Sequence, residues 1–222
     1  EDVVKLGAEG VNRIWRDKKL RAVGMKRAQT LVEAAQNSIG LDGGNCARME
    51  MQLLLEDYRA KEIQLEKVTA VLEAETLKVP HAEKLLSIKG VGLITVAGFL
   101  SEVGDIRRFD SPKQIQKLAG LELKENSSGK HRGRSSISKR GRKRLRKILF
   151  QVMLPMIRNN AEFREVYEYF TTRQNNPLKG KQAIIAAGCK LIRVFYAILK
   201  HGVVYDPQKL RLDMIRPELT AA

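Results

Sequence analysis

The chain is short of the residues from which metal and cofactor sites are usually built. It has two cysteines, Cys46 and Cys189, far apart and outside any CxxC spacing. A disulfide framework or zinc site is therefore not expected, and both read as thiols of a reducing compartment. The three histidines, His81, His131 and His201, are scattered and form no metal-ligand pattern. There is no HExxH, no DxD cluster and no Walker-type phosphate loop, so neither metal hydrolysis nor nucleotide binding has a motif. Glu102, Asp105 and Asp110 are the one acidic trio near a turn, too few for a complete carboxylate site. No apolar run approaches the roughly 18 residues of a membrane span, and no signal-peptide pattern is read. The chain opens at Glu1 in mid-pattern, which reads as a fragment of a longer protein.

What the chain has in excess is positive charge. Across 222 residues the formal net charge is +16 and the pI is about 10.0, with 43% apolar content, enough for one large domain or two small ones. The charge is clustered. Lys124 to Lys147 holds eleven Lys or Arg against one Glu, a local charge of +10. The same stretch carries Ser127, Ser128, Gly129, Gly133, Ser135, Ser136 and Ser138. A hydroxyl-rich loop in that much charge suits a polyanion better than a protein core.

Elsewhere the pattern is helical, and the fold class read from it is all-α, with no convincing strand. Two amphipathic segments fill residues 1–40. From about Asn45 to Lys78 there is neither Gly nor Pro, and Met51, Tyr58, Leu65 and Leu72 recur every seven residues. Either a coiled-coil arm or a single long helix packed on the body fits that spacing. After Pro80, two short helices flank Gly90-Val91-Gly92 in a helix-hairpin-helix-like unit. Its glycines, with Lys89 beside them, would present helix amides to a phosphate, although a tight turn between packed helices needs glycine anyway. Ser111-Pro112 opens a further helix that ends at Gly120. Ser138 would cap a basic helix starting near Lys139, with Leu145, Ile148, Leu149, Val152, Met153 and Met156 inward and Pro155 kinking or shortening it. Phe163, Tyr167, Tyr169 and Phe170 sit at helical spacing, as core residues more often do than base-stacking ones. A last long helix spans about Lys181 to Lys200, and the tail from Tyr205 is weakly periodic.

Two readings of the serine loop follow. Ser127 or Ser128, beside Gly129, is placed where backbone amides approach a phosphate, with Lys130, His131, Arg132 and Arg134 able to stabilise a phosphoryl-transfer transition state. Alternatively the loop hugs a nucleic-acid backbone and does no chemistry.

The order LLSIKGVGLITVAGFLSEVGDIRRF, KQIQKLAGL, NSSGKHRGRSSISKRGRKRLRKILF resembles the C-terminal transposase domain of insertion-sequence transposases of the "one-ten" family, the Piv-related DNA recombinases. The likeness extends into VGMKRAQTLVEAAQNSIG and KLIRVFYAIL. It implies residues 1–44 as a helical linker from an absent N-terminal RuvC-like domain, 45–80 as a long helix or coiled-coil arm, 81–205 as the transposase domain and 206–222 as a tail. It also implies a serine nucleophile at NSSG, with Ser128 slightly preferred over Ser127, acting through a 5′-phosphoserine intermediate. Lys139, Gly141 and Arg146 would position the loop and contact phosphates. Nucleic-acid contacts are assigned to Lys89, Gly90, Gly92, Lys130, Arg132, Arg134, Lys139, Arg140, Arg142, Lys143, Arg144 and Arg146. The implied partners are DNA, a noncoding bridge RNA and further copies of the chain in a dimer or tetramer, in a bacterial cytoplasmic, nucleoid-associated setting with no membrane. No cofactor is expected in this chain, because the Mg2+ site belongs to the absent acidic domain. Alone, these residues are expected to bind nucleic acid without full recombinase activity. The alternative is a non-catalytic nucleic-acid-binding module.

Overall fold

The computed structural model describes residues 2–38, 44–124, 127–128, 131–132 and 136–212. The chain divides into two compact units, residues 1–63 and 64–222. In the first, helix α1 (Asp2–Asp17) breaks at Gly7, whose φ of 65° is left-handed, and packs against α2 (Met25–Gln36) through the buried Val11 and Ala28.

Helix α3 (Gly44–Leu77) is the 34-residue element that the absence of Gly and Pro predicts. Its seven-residue column is not buried. Met51, Tyr58 and Leu65 are 58%, 61% and 67% exposed, and among the residues of α3 only Thr76 is buried. The helix closes with the Thr76 hydroxyl donating to Leu72 O, and Pro80 follows.

The second unit is built around α9 (Gly180–His201), with α4 (Ala82–Leu86), α5 (Leu93–Val103), α6 (Pro112–Leu118), α7 (Lys143–Asn159), α8 (Ala161–Thr172) and α10 (Pro207–Leu212) completing it. Phe99 of α5 meets Phe195 of α9 edge to face, with centroids 5.0 Å apart, and Leu85, Ile115, Leu145, Met153, Phe163 and Leu191 are fully buried around them. Such aromatic pairs add to burial alone. Gly98 lets α5 approach α7, since a Cβ there would lie 2.8 Å from Ile148 Cδ1. Phe163 is core, and Tyr167, Tyr169 and Phe170 are half-buried.

Several details differ from the sequence-based expectation. Helix α9 is long and apolar enough to cross a membrane by length and composition, contrary to the run length read from the sequence. Half of its apolar window is buried in this unit, and Lys190 and Arg193 interrupt it, as fits the central helix of a globular core. Pro155 lies inside α7, which continues to Asn159. Part of the expected tail is ordered: Leu210 of α10 is buried, and Arg211 pairs with Glu165 of α8 at 2.6 Å. The basic helix begins at Lys143, with Arg142 rather than Ser138 at its N-cap. Residues 138–142 are instead drawn into backbone hydrogen bonds with the end of α6, which a helix starting at Lys139 could not make. Four two-residue strands form two short ladders, β1 (Leu123–Lys124) with β4 (Ser136–Ile137) and β2 (Ser127–Ser128) with β3 (His131–Arg132). The chain remains all-α in class.

Asn160 links several of these parts. Its buried side chain accepts from Phe163 N, capping α8, and donates to Lys89 O at 3.0 Å, holding the glycine turn between α4 and α5. Asn160→Ala removes the partner of Lys89 O and uncaps a helix, and is expected to cost about 1–3 kcal/mol. Urea denaturation monitored by circular dichroism measures this, and a loss below half that range would show the bridge to be dispensable.

Candidate nucleic-acid interface

The Ser/Gly loop rises from a stem in which two chain segments touch without side chains between them. Helix α6 ends in Gly120 at φ +69°, and the segment leading into α7 passes through Gly141 at φ +145°. A Cβ on Gly120 would stand 2.8 Å from Arg140 O, and one on Gly141 would collide with Leu118 O. Only glycine fits both places. The close approach is fastened by Arg142 N to Leu118 O at 2.7 Å, Lys139 N to Gly120 O at 3.0 Å and Ser138 N to Glu122 O at 2.7 Å. Ladder β1–β4 continues the stem, pairing Leu123 with Ile137 and Lys124 with Ser136.

The arginines of this segment do different work. Arg146, half-buried, donates from Nη1 to Ala119 O at 2.8 Å and to Lys139 O at 3.4 Å, clasping both sides of the stem. Arg142 donates from Nη1 to Glu102 O at 2.7 Å and lies 3.6 Å from the Glu102 carboxylate, tying the head of α7 to α5. Arg144 reaches the same carboxylate at 3.8 Å, but its side chain is 76% exposed, so solvent screens that pair heavily. Lys139, Arg140 and Lys143 are exposed on the outer face. Of the six cations from Lys139 to Arg146, two thus brace the protein and four are displayed.

The serines lie on the inner ladder. The backbone of Ser127 is opposite Arg132 and that of Ser128 is opposite His131. Both expected nucleophiles therefore sit within one two-residue rung set with two of the residues expected to stabilise charge. Lys130 and Arg134 lie outside the described residues.

The glycine turn forms a second, separate feature. Gly90, at φ +95°, packs so that a Cβ would meet Met156 Cγ at 3.0 Å, whereas Gly92 is exposed with open space around it. No side chain caps α5, and Lys89 is exposed beside the turn. The turn abuts α7 at Met156 and the stem joins it at Lys143, so along the helix axis they are about 20 Å apart. The sequence names both features without revealing that one helix spaces them.

The acidic trio is committed elsewhere. Glu102 serves the two arginines, and Asp110 accepts from Gln114 Nε2 at 3.2 Å. The Arg107 side chain and amide, both bonded to Asp105, hold its carboxyl below the usual carboxylate range. Among the described residues no group of three or more His, Cys, Asp or Glu is placed to hold a metal ion. Sequence reasoning missed Glu102 as a brace, and the one available signal was an acidic residue isolated in so basic a protein.

Residues 82–168 match the family model described as the transposase IS116/IS110/IS902 family. The chain is 28% identical over 203 residues to the 42 kDa protein of insertion element IS900 of Mycobacterium paratuberculosis, covering 90% of this chain and 50% of that protein. It is 32% identical over 128 residues to the pilin gene-inverting protein of Moraxella bovis, 57% of this chain and 39% of that one. With the transposase of insertion sequence IS1328 of Yersinia enterocolitica the identity is 27% over 144 residues, 64% and 43%. The chain spans at most half the length of these relatives.

The stem yields a direct expectation. Gly141→Ala must relieve both a left-handed φ and a backbone collision, costing the stem about 2 kcal/mol or more. In hydrogen exchange the amides of Ser138, Lys139 and Arg142 should lose protection while those of α9 keep theirs. Unchanged protection at all three amides would contradict the clasp.

Proposed function

We propose that the chain, whose residues 82–168 match the IS116/IS110/IS902 transposase family model, is the DNA-binding, serine-bearing part of a transposase or recombinase. The observation that carries the reading is the glycine clasp, which fixes the root of the NSSG loop to the head of the basic helix. A loop that merely hugged a backbone would not need its root held this tightly.

In the proposed reaction the Oγ of Ser128, or of its neighbour Ser127, attacks a DNA phosphorus. An Oγ–P bond forms, the P–O3′ bond breaks, the serine proton is lost and the departing 3′ oxygen takes up a proton. The 5′-phosphoserine keeps the phosphodiester's free energy, so a 3′-hydroxyl from another strand can reverse the step and join to it. Arg132, whose backbone pairs with that of Ser127, is the residue proposed to meet the charge that develops, with Lys130 and Arg134 nearby in sequence. The displayed Lys139, Arg140, Lys143 and Arg144 hold flanking phosphates, and the open first turn of α5 with Lys89, Gly90 and Gly92 holds another as a helix-hairpin-helix would. Mg2+, if used, would be supplied with carboxylates by residues beyond this chain. A guide RNA fits the same basic surface, and the exposed apolar column of α3 fits association with further copies.

In the full-length protein, Ser127→Ala and Ser128→Ala are tested separately for strand cleavage, for the covalent DNA adduct and for binding. One substitution is expected to abolish cleavage and adduct while affinity stays within about twofold. Full cleavage in both variants would overturn the serine mechanism.

Salt titration tests the binding surface independently. For about eight phosphate contacts on duplex DNA, the logarithm of affinity should fall with a slope near −7 against the logarithm of salt concentration. A flat line would remove nucleic acid as the partner.

A further inference from the structure

Beside the loop stem, α7 and α9 leave an open groove of about 350 Å³. Leu121, Phe150, Ile184 and Ile185 wall it, and Lys143 and Lys147 stand exposed on its rim. Arg146 also lines it while its guanidinium is held by the stem. The volume falls within the range of small-ligand sites, about 300–1,000 Å³. Among the described residues its lining contains no Asp or Glu.

The combination selects a chemistry. The walls take an apolar, flat body, and the rim takes negative charge attached to it. A second copy of this chain carries +16 overall, so surfaces other than its acidic α3 would bring like charge to a cationic rim. An unstacked nucleotide is a good match: its base has apolar faces and its phosphates flank it. Position points the same way. Leu121 is two residues before β1, so the groove opens at the foot of the loop that carries Ser127 and Ser128. Lys143 and Lys147 are four apart on α7 and therefore share one side of that helix.

We propose that this groove receives a single nucleobase turned out of its helix beside the contacted phosphates, with Lys143 and Lys147 holding the phosphates on either side of it. The inference rests on the nucleic-acid reading above and adds to it a preference for strands with an unpaired base. Paying for unstacking is cheapest where a base is already unpaired, so the groove would favour distorted or partly opened DNA.

The probes are a duplex carrying one bulged 2-aminopurine and the same duplex fully paired, each titrated with the full-length protein. The bulged duplex is expected to bind about tenfold tighter, the scale of one base packed on an apolar wall, with a change in 2-aminopurine fluorescence on binding. Ile184→Trp fills the groove and should erase that preference, leaving affinity for the paired duplex and the melting temperature unchanged. Lys147→Ala, at an exposed position, is a second test that spares the core and should cut the preference at least about threefold. Equal affinity of the unaltered protein for the two duplexes overturns the proposal. So does a preference that survives both substitutions. A change in sedimentation mass on Ile184→Trp with the bulge preference intact would assign the groove to a second copy and overturn it too. Absence of binding to either duplex at low salt would overturn the nucleic-acid reading itself, a result distinct from the loss of the bulge preference alone.

Discussion

The structure of the candidate site depends on one steric fact: two stretches of backbone, the end of α6 and the approach to α7, touch where neither has a side chain. Gly120 and Gly141 have left-handed φ values, and each leaves no room for a Cβ against the carbonyl of the other segment. The contact brings Arg142 N within 2.7 Å of Leu118 O and so decides where α7 begins. It also brings Ala119 O and Lys139 O within reach of one guanidinium, that of Arg146. The loop between the two segments therefore leaves from a root whose backbone amides and carbonyls already have partners, as buried or crowded backbone groups require.

That constraint sorts the charge. A local +10 would repel itself if every cation stood in the same place, and the fold turns some of it inward. Arg146 is spent on two carbonyls, and Arg142 on the backbone and carboxylate of Glu102. The Arg142–Glu102 contact is worth little as an ion pair, because the Arg142 side chain is about half exposed. The value of both arginines is directional: a planar guanidinium fixes orientation in a way that a flexible ammonium does not. Lys143, Arg144 and Lys147 face outward on a helix whose inner side is anchored by Leu145, Leu149 and Met153. The surface proposed for phosphates is therefore mounted on a rigid core element, with the glycine turn at the far end of the same helix.

Much of this was legible in the sequence, and the parts that were not share a cause. The long α3 announces itself by lacking Gly and Pro over more than thirty residues, and the turn at Gly90–Gly92 by its two glycines between apolar runs. Local rules suffice there. By the local rule for capping, Ser138 points to a helix starting at Lys139, whereas α7 starts at Lys143. The hydrogen bonds that override that rule come from residues about twenty positions earlier in the chain. The two ladders escaped notice because two-residue strands of Ser, His and Arg have no periodicity to read. For the candidate site, the residue types and their order were visible. Which arginines face inward was not, because that depends on carbonyls at positions 102 and 119 that carry no sequence signature.

Two apolar surfaces among the described residues differ in charge, and that difference argues for different partners. Helix α3 exposes Met51, Leu54, Tyr58, Leu65 and Val68 among seven acidic and four basic residues. A net negative arm cannot serve a polyanion, and its seven-residue spacing is the pattern by which helices bury such residues against each other. The groove beside the loop stem has the opposite character, apolar walls under a rim that is wholly cationic. A helix from another copy would gain apolar contact there but would lose electrostatically unless it were strongly acidic, and a nucleotide gains on both counts. On the proposed function, protein contacts would fall to the acidic α3 and nucleic-acid contacts to the basic loop stem and α7. The proposed chemistry needs both, because strand exchange requires more than one DNA end to be held while each serine stays bonded to its own phosphate.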